Sequence, residues 1–188
     1  MTKHLERDLD ILKRHLLAMG GMVEEAMRKA IASLRERRAD TAQEVIQGDG
    51  RLDDLEVRVE EECLKILALH QPVAADLRFV AAVMKINNDL ERMGDLAVNI
   101  AERAASLSAL PAVPRPPQLG EMIERTASMV RDALDARGRR DAAAARRICA
   151  RDDEGDRQNR PISEPLRAGL REDPALGDAA LYLFSATR

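Results

Sequence analysis

The stretch Asn87-Asn88-Asp89-Leu90-Glu91-Arg92-Met93-Gly94-Asp95-Leu96-Ala97-Val98-Asn99-Ile100-Ala101-Glu102-Arg103 decides the fold, because an apolar seam and a polar stripe run through it at one helical period. The seam is Val83, Ile86, Leu90, Met93, Ala97, Ile100, Ala104 and Leu107. It advances in alternating steps of three and four, the pattern of a helix packed lengthwise against other helices. The stripe, Asn88, Glu91, Asp95, Asn99 and Glu102, advances the same way, so its oxygen-bearing side chains form one column. Carboxylates one turn apart repel by a few tenths of a kcal/mol, and a cation held between them removes that repulsion. At ~100° per residue the column falls nearly opposite the seam, so a solvated face explains the spacing at least as well as a metal site does.

Working outward, composition narrows the class. The chain has 188 residues, enough to bury a core in one helical domain or two small ones. Phe79, Tyr182 and Phe184 are its only aromatic residues, so Leu, Ile, Val, Met and Ala must fill that core. Such residues suit helix packing and poorly support an all-β sandwich. Thirty basic residues against 33 acidic ones give no electrostatic footprint for nucleic acid. Cys63 and Cys149 lie in helical patterns without metal-ligand spacing and read as reduced thiols, which fits a cytoplasmic protein. The N-terminus has no apolar signal core and no uncharged run is long enough to span a bilayer, so any membrane link is expected through a partner.

The pattern predicts a first helix on Leu5, Leu9, Leu12, Leu16, Met19, Met22 or Val23, Met27 or Ala26, Ala30 and Leu34, with a kink or close helix approach at Gly20-Gly21. A second helix is expected from about Thr41, carrying Val45, Leu52, Leu55, Val59, Cys63, Ile66 and Leu69 and closed by His70-Gln71-Pro72. The third starts at Pro72, carries Val73, Leu77, Val80 and Met84, and runs through the opening stretch to about Leu107. Short turns make the three antiparallel. Four prolines between Ala109 and Pro117 then mark an extended spacer.

Beyond the spacer two more helices are expected, ending near Gly138 and Asn159. They repeat the first two with a shift of 103: Ala30-Ile31 answers to Ala133-Leu134, Val45-Ile46 to Ile148-Cys149, and Asp49 and Asp53 to Asp152 and Asp156. A third helix of this second unit would begin at Pro174 and is cut short, and Gly155, Pro161, Pro165 and Gly169 fall inside helical positions of the repeat. The fold class is therefore all-α: a three-helix unit over 1–108, a linker over 109–117 and a truncated repeat over 118–188, marginal and with apolar surface left open.

The duplication bears on chemistry. Asp49 and Asp53 form an acidic pair on the helix antiparallel to the one bearing Glu91 and Asp95, with Glu56 and Glu60 extending that column. Four such carboxylates across one interface suit hard ions and argue against zinc. A di-iron oxidase of the ferritin type would need Glu-x-x-His, which does not occur. No nucleophile with an adjacent base and no Gly-rich phosphate loop appears, so no enzyme is expected. His4, His15 and His70 read as surface or helix-packing residues, and the doublets Arg139-Arg140 and Arg146-Arg147 as solvated helix faces.

The run from Asn88 to Glu102, preceded by Gly48-Asp49 and Asp53 in a duplicated unit whose third helix is bounded by proline, resembles the PhoU family. The resemblance spans the first unit and the second up to its truncated end. It implies two three-helix bundles with metal clusters, of iron or another hard ion such as Mn²⁺ or Mg²⁺, on acidic pairs. Here these fall on Asp49 and Asp53, on Glu91 and Asp95, and on Asp152 and Asp156, the fourth pair being absent. It further implies a regulator, often dimeric, that links the ATPase of the phosphate ABC transporter to a sensor histidine kinase and represses the phosphate-starvation response. A metal-binding or storage bundle and a non-functional truncated remnant are the competing expectations.

Overall fold

The computed structural model describes residues 3–111, 117–139, 141–159 and 182. Six helices follow in order: α1 (Lys3–Glu36), α2 (Ala39–Gly48), α3 (Gly50–His70), α4 (Ala74–Ala109), α5 (Pro117–Gly138) and α6 (Ala142–Asn159). No strand occurs among the described residues. The segment expected to hold the third helix of the second repeat, with Pro161, Pro165, Gly169 and Pro174, lies outside them.

Helix α1 packs against α2, α3, α4 and α5, and it buries Leu5, Leu9, Leu12, Leu16, Met19, Val23, Met27, Ala30 and Leu34, deciding both open positions for Val23 and Met27. Each fully buried leucine contributes roughly 1.5–3 kcal/mol. Gly20 and Gly21 do not interrupt the helix. Instead Gly20 is buried where α5 crosses, and a Cβ there would stand 3.6 Å from Leu134. At its end Arg37 turns the chain with a left-handed φ of 57°. The Arg37 guanidinium donates to the carbonyls of Leu107, at 2.6 Å, and of Leu110, capping the far end of α4.

The second rod departs from expectation in being interrupted. Sequence period predicts one helix from Thr41 to Leu69, whereas α2 and α3 are separate helices joined at Gly48-Asp49-Gly50, the elbow of the rod. Asp49 itself keeps right-handed helical angles, and its carbonyl accepts from the amides of Leu52 at 2.7 Å and Asp53 at 3.2 Å. At its far end Gln71 adopts a left-handed conformation and its amide donates to the Leu67 carbonyl. Pro72 is buried, and α4 begins two residues after the predicted start. Leu69, Val73 and Leu77, all expected to face inward, are exposed around this turn, Val73 by 74%.

The seam of α4 is also rotated. The buried positions are Val80, Val83, Asn87, Leu90, Gly94, Ala97, Ala101, Ala104 and Leu107, so Asn87, Gly94 and Ala101 replace the predicted Ile86, Met93 and Ile100, which are only half-buried. Gly94 explains the rotation. A Cβ built on it would lie 2.1 Å from Leu52 Cδ2, so the start of α3 packs directly on the α4 backbone.

Two clusters of buried side chains form the core, one where α1, α3 and the first half of α4 meet and one where the second half of α1, α2, the end of α4 and α5 meet. Helix α6 lies on α5, joined by Arg151 to Asp132 at 2.6 Å, and Asp141 caps α6 by accepting the amides of Ala143 and Ala144. The cap lowers the Asp141 carboxyl below its usual range. Gly94→Ala is expected to destabilise the protein by about 1–3 kcal/mol through overpacking. Its thermal midpoint by circular dichroism should fall by several degrees, and Leu52→Ala in the same chain should recover part of that loss.

Candidate cation-binding face

The Gly94 contact sets the height at which α3 meets α4, and thereby decides which carboxylates share a surface. Asp49 at the elbow is half-buried, Asp53 one turn later is exposed, and both face the half-buried Glu91 and exposed Asp95 of α4. Asp49 Oδ1 lies 3.9 Å from where a Gly94 Cβ would stand. The four residues singled out from sequence in the first unit are therefore brought onto one face.

Electrostatics report the crowding. Burial, followed by the charges of Asp53 and Asp95, pushes the Asp49 carboxyl above its ordinary value. Glu91 is raised by burial, by the charge of Asp95 and a hydrogen bond shared with it, and then by Glu56 and Asp53. Glu56 is raised by burial and by Glu60 and Asp53. Among the described residues no Lys, Arg or His forms an ion pair with any of these six carboxylates.

Beside them sits a residue that pattern reading passed over. Asn87 is only 2% exposed. Its Nδ2 donates to the Glu56 carbonyl and to Glu56 Oε1, both at 3.0 Å, which fixes that carboxylate against α4. Asn87 Oδ1 is buried without a hydrogen-bond partner among the described residues, a costly state for a polar atom. The signal for Asn87 was available, since a step from Val83 to Asn87 to Leu90 satisfies the helical period as well as one through Ile86.

The donor set is all oxygen, the chemistry hard cations prefer. Among the described residues, however, no three His, Cys, Asp or Glu side chains converge closely enough to hold an ion among them. In this conformation the face offers carboxylate pairs rather than a closed cage. Asp152, on α6, is exposed and is not among the charges acting on Asp49, Glu56 or Glu91. The side chain of Asp156 lies outside the description. The histidines hold helices together: His15 Nδ1 meets Glu62 Oε2 at 3.0 Å and His70 Nε2 meets Asp8 Oδ2 at 2.9 Å, clasping α1 to α3. Cys63 is buried, and desolvation pushes its thiol up to about 11, which leaves it unreactive.

The fold and this face define a class: a duplicated helical bundle carrying acidic pairs on its long helices, with no described helix long and apolar enough to cross a membrane. The PhoU domain model matches residues 16–104 and again 119–188. The chain is 38% identical over its full length to a phosphate-specific transport system accessory protein PhoU homolog of Deinococcus radiodurans, covering 88% of that protein. It is 35% identical, over 98% of its own length and 83% of the relative's, to the homolog of Aquifex aeolicus. The crystal structure of PhoU from Pseudomonas aeruginosa superposes with a TM-score of 0.93 at 34% identity, over 97% of this chain and 88% of that one. The chain belongs to the PhoU family.

The raised carboxyls carry a sign. A carboxyl whose folded pKa lies above its unfolded value favours folding below that unfolded value and loses the benefit as pH rises through the folded one. Asp49, Glu56 and Glu91 therefore oppose folding at neutral pH. Asp95→Asn, which removes a charge acting on two of them, is expected to stabilise the metal-free protein at pH 7 and low salt by a few tenths of a kcal/mol. Chemical denaturation across pH should show the gain shrinking toward about pH 4, where the carboxyls are protonated anyway.

Proposed function

We propose that the chain is a regulatory accessory protein of a phosphate-specific transport system. It acts in the cytoplasm without catalysing a reaction: by contacting the transporter ATPase and a sensor histidine kinase, it holds the phosphate-starvation response off when phosphate is plentiful. The observation that supports this reading is identity of 35–38% over nearly the whole chain to relatives named as accessory proteins of a phosphate-specific transport system. The construction of the molecule agrees with it. Helices α1, α3 and α4 are held together by a shared apolar cluster and by the His15–Glu62 and His70–Asp8 pairs, a firm scaffold for docking partners. Homodimerisation belongs to the same reading, with the exposed Leu17, Leu64 and Leu77 as apolar surface available to a second copy.

The acidic face adds a cation to the proposal. A hydrated Mg²⁺ or Mn²⁺ fits carboxylate pairs better than an iron cluster, because Mg²⁺ keeps most of its waters and needs only one or two carboxylates. Glu91 with Asp95, and Asp49 with Asp53, would hold it. The ion would supply charge neutralisation, bringing α3 and α4 closer to their unstrained packing.

Deleting the gene should switch on a phosphate-starvation reporter in phosphate-replete medium, and the intact gene supplied in trans should silence it; a reporter that stays off in the deletion strain overturns the adaptor. For the cation, millimolar Mg²⁺ or Mn²⁺ should raise the thermal midpoint of the purified protein. Asp53→Ala combined with Asp95→Ala should abolish that rise, and an equal rise in the variant removes the ion from this face.

A further inference from the structure

Beside the elbow a groove of about 660 Å³ runs between α1 and helices α2 and α3, with Gly94 and Val98 of α4 also lining it. Its floor is apolar, formed by Ala18, Met22, Val45, Leu52, Leu55 and Val98. Gly21 lies along it with open space on its Cβ side, so the α1 wall is recessed at mid-length. The two rims differ. The rim of α1 and α2 is satisfied within the chain, Glu25 meeting Arg28 at 2.7 Å and Lys29 meeting Glu44 at 2.7 Å. On the α3 rim Arg51 and Arg58 stand two turns apart on one face, both exposed, and neither forms an ion pair or side-chain hydrogen bond among the described residues.

We propose that this groove receives one amphipathic helix of a partner protein, with its apolar ridge on Met22, Leu52 and Leu55 and carboxylates two turns apart meeting Arg51 and Arg58. The inference rests on the adaptor reading and names the surface through which it works. Two physical arguments select this occupant. A floor of aliphatic side chains with a glycine recess matches the close packing of helix on helix, and two guanidiniums at a spacing of two turns match a carboxylate row of the same period. A small free anion would reach only the arginine rim and leave the apolar floor of Met22, Leu52 and Leu55 uncovered.

The test uses the full chain, immobilised, with the purified transporter ATPase subunit and the purified cytoplasmic part of the sensor kinase as probes in biolayer interferometry. Arg51→Glu with Arg58→Glu, and separately Gly21→Leu, should each weaken binding of at least one probe by about tenfold or more, while Arg78→Glu on α4 leaves it unchanged. The double arginine variant alters only exposed side chains and keeps the test decisive should Gly21→Leu fail to fold by circular dichroism. Wild-type affinity for both probes in the double variant overturns the groove and leaves the adaptor standing. Failure of the unsubstituted chain to bind either probe overturns the adaptor and the groove together. Calorimetric binding of inorganic phosphate that the double variant abolishes would assign the groove to a small anion and end the proposal.

Discussion

The contact of Leu52 with the bare backbone of Gly94 is the constraint on which the rest of the first bundle depends. Room for that leucine exists only because position 94 lacks a Cβ. Burying it contributes roughly 1.5–3 kcal/mol. Two carboxylates about 6 Å apart in water-like surroundings repel by less than about 1 kcal/mol. Packing therefore outweighs repulsion, and the acidic pairs of α3 and α4 are pressed onto one face at a tolerable cost. Burial first, and the neighbouring carboxylates second, raise the proton affinities of Asp49 and Glu91 on that face.

Much of this was legible in the chain, and the failures have physical reasons. The stripe of α1 reads directly because its large aliphatic residues leave one choice of face. On α4 two faces satisfy the same steps, and hydrophobicity favours Ile86, Met93 and Ile100 over Asn87, Gly94 and Ala101. The helix buries the second set because close approach needs small residues, a demand that comes from Leu52 on another element and leaves no trace in the local pattern. The break at Asp49 escaped for a different reason: apolar spacing continues across Gly48 and Gly50 and Asp49 keeps helical angles, so the interruption is a single residue. The rotation also moves the acidic residues: Glu91 and Asp95 flank the observed seam, whereas on the predicted seam their column stood nearly opposite.

Helix α1 serves two bodies at once. Its first half closes the cluster built with α3 and α4, and its second half closes the one shared with α2 and α5. Gly20 lies beside Leu134 of α5 within one turn of the recess at Gly21, so the same short segment sets the seat of the second repeat and the width of the groove. Arg37 adds a fixed point by tying the end of α1 to the last carbonyls of α4 just before the chain leaves the bundle.

Asp49 belongs to both surfaces, since it lines the groove and also feels the charges of Asp53 and Asp95. Any ligand that alters its charge on one side changes the field on the other. A cation on the acidic face would cancel one of the four carboxylates that line the groove, lessening repulsion of a carboxylate-bearing helix seated on Arg51 and Arg58. Linkage makes the effect mutual: if the ion tightens the helix, the helix tightens the ion by the same factor. The sign follows from charge alone, because Asp49, the residue whose charge is screened, stands on both surfaces.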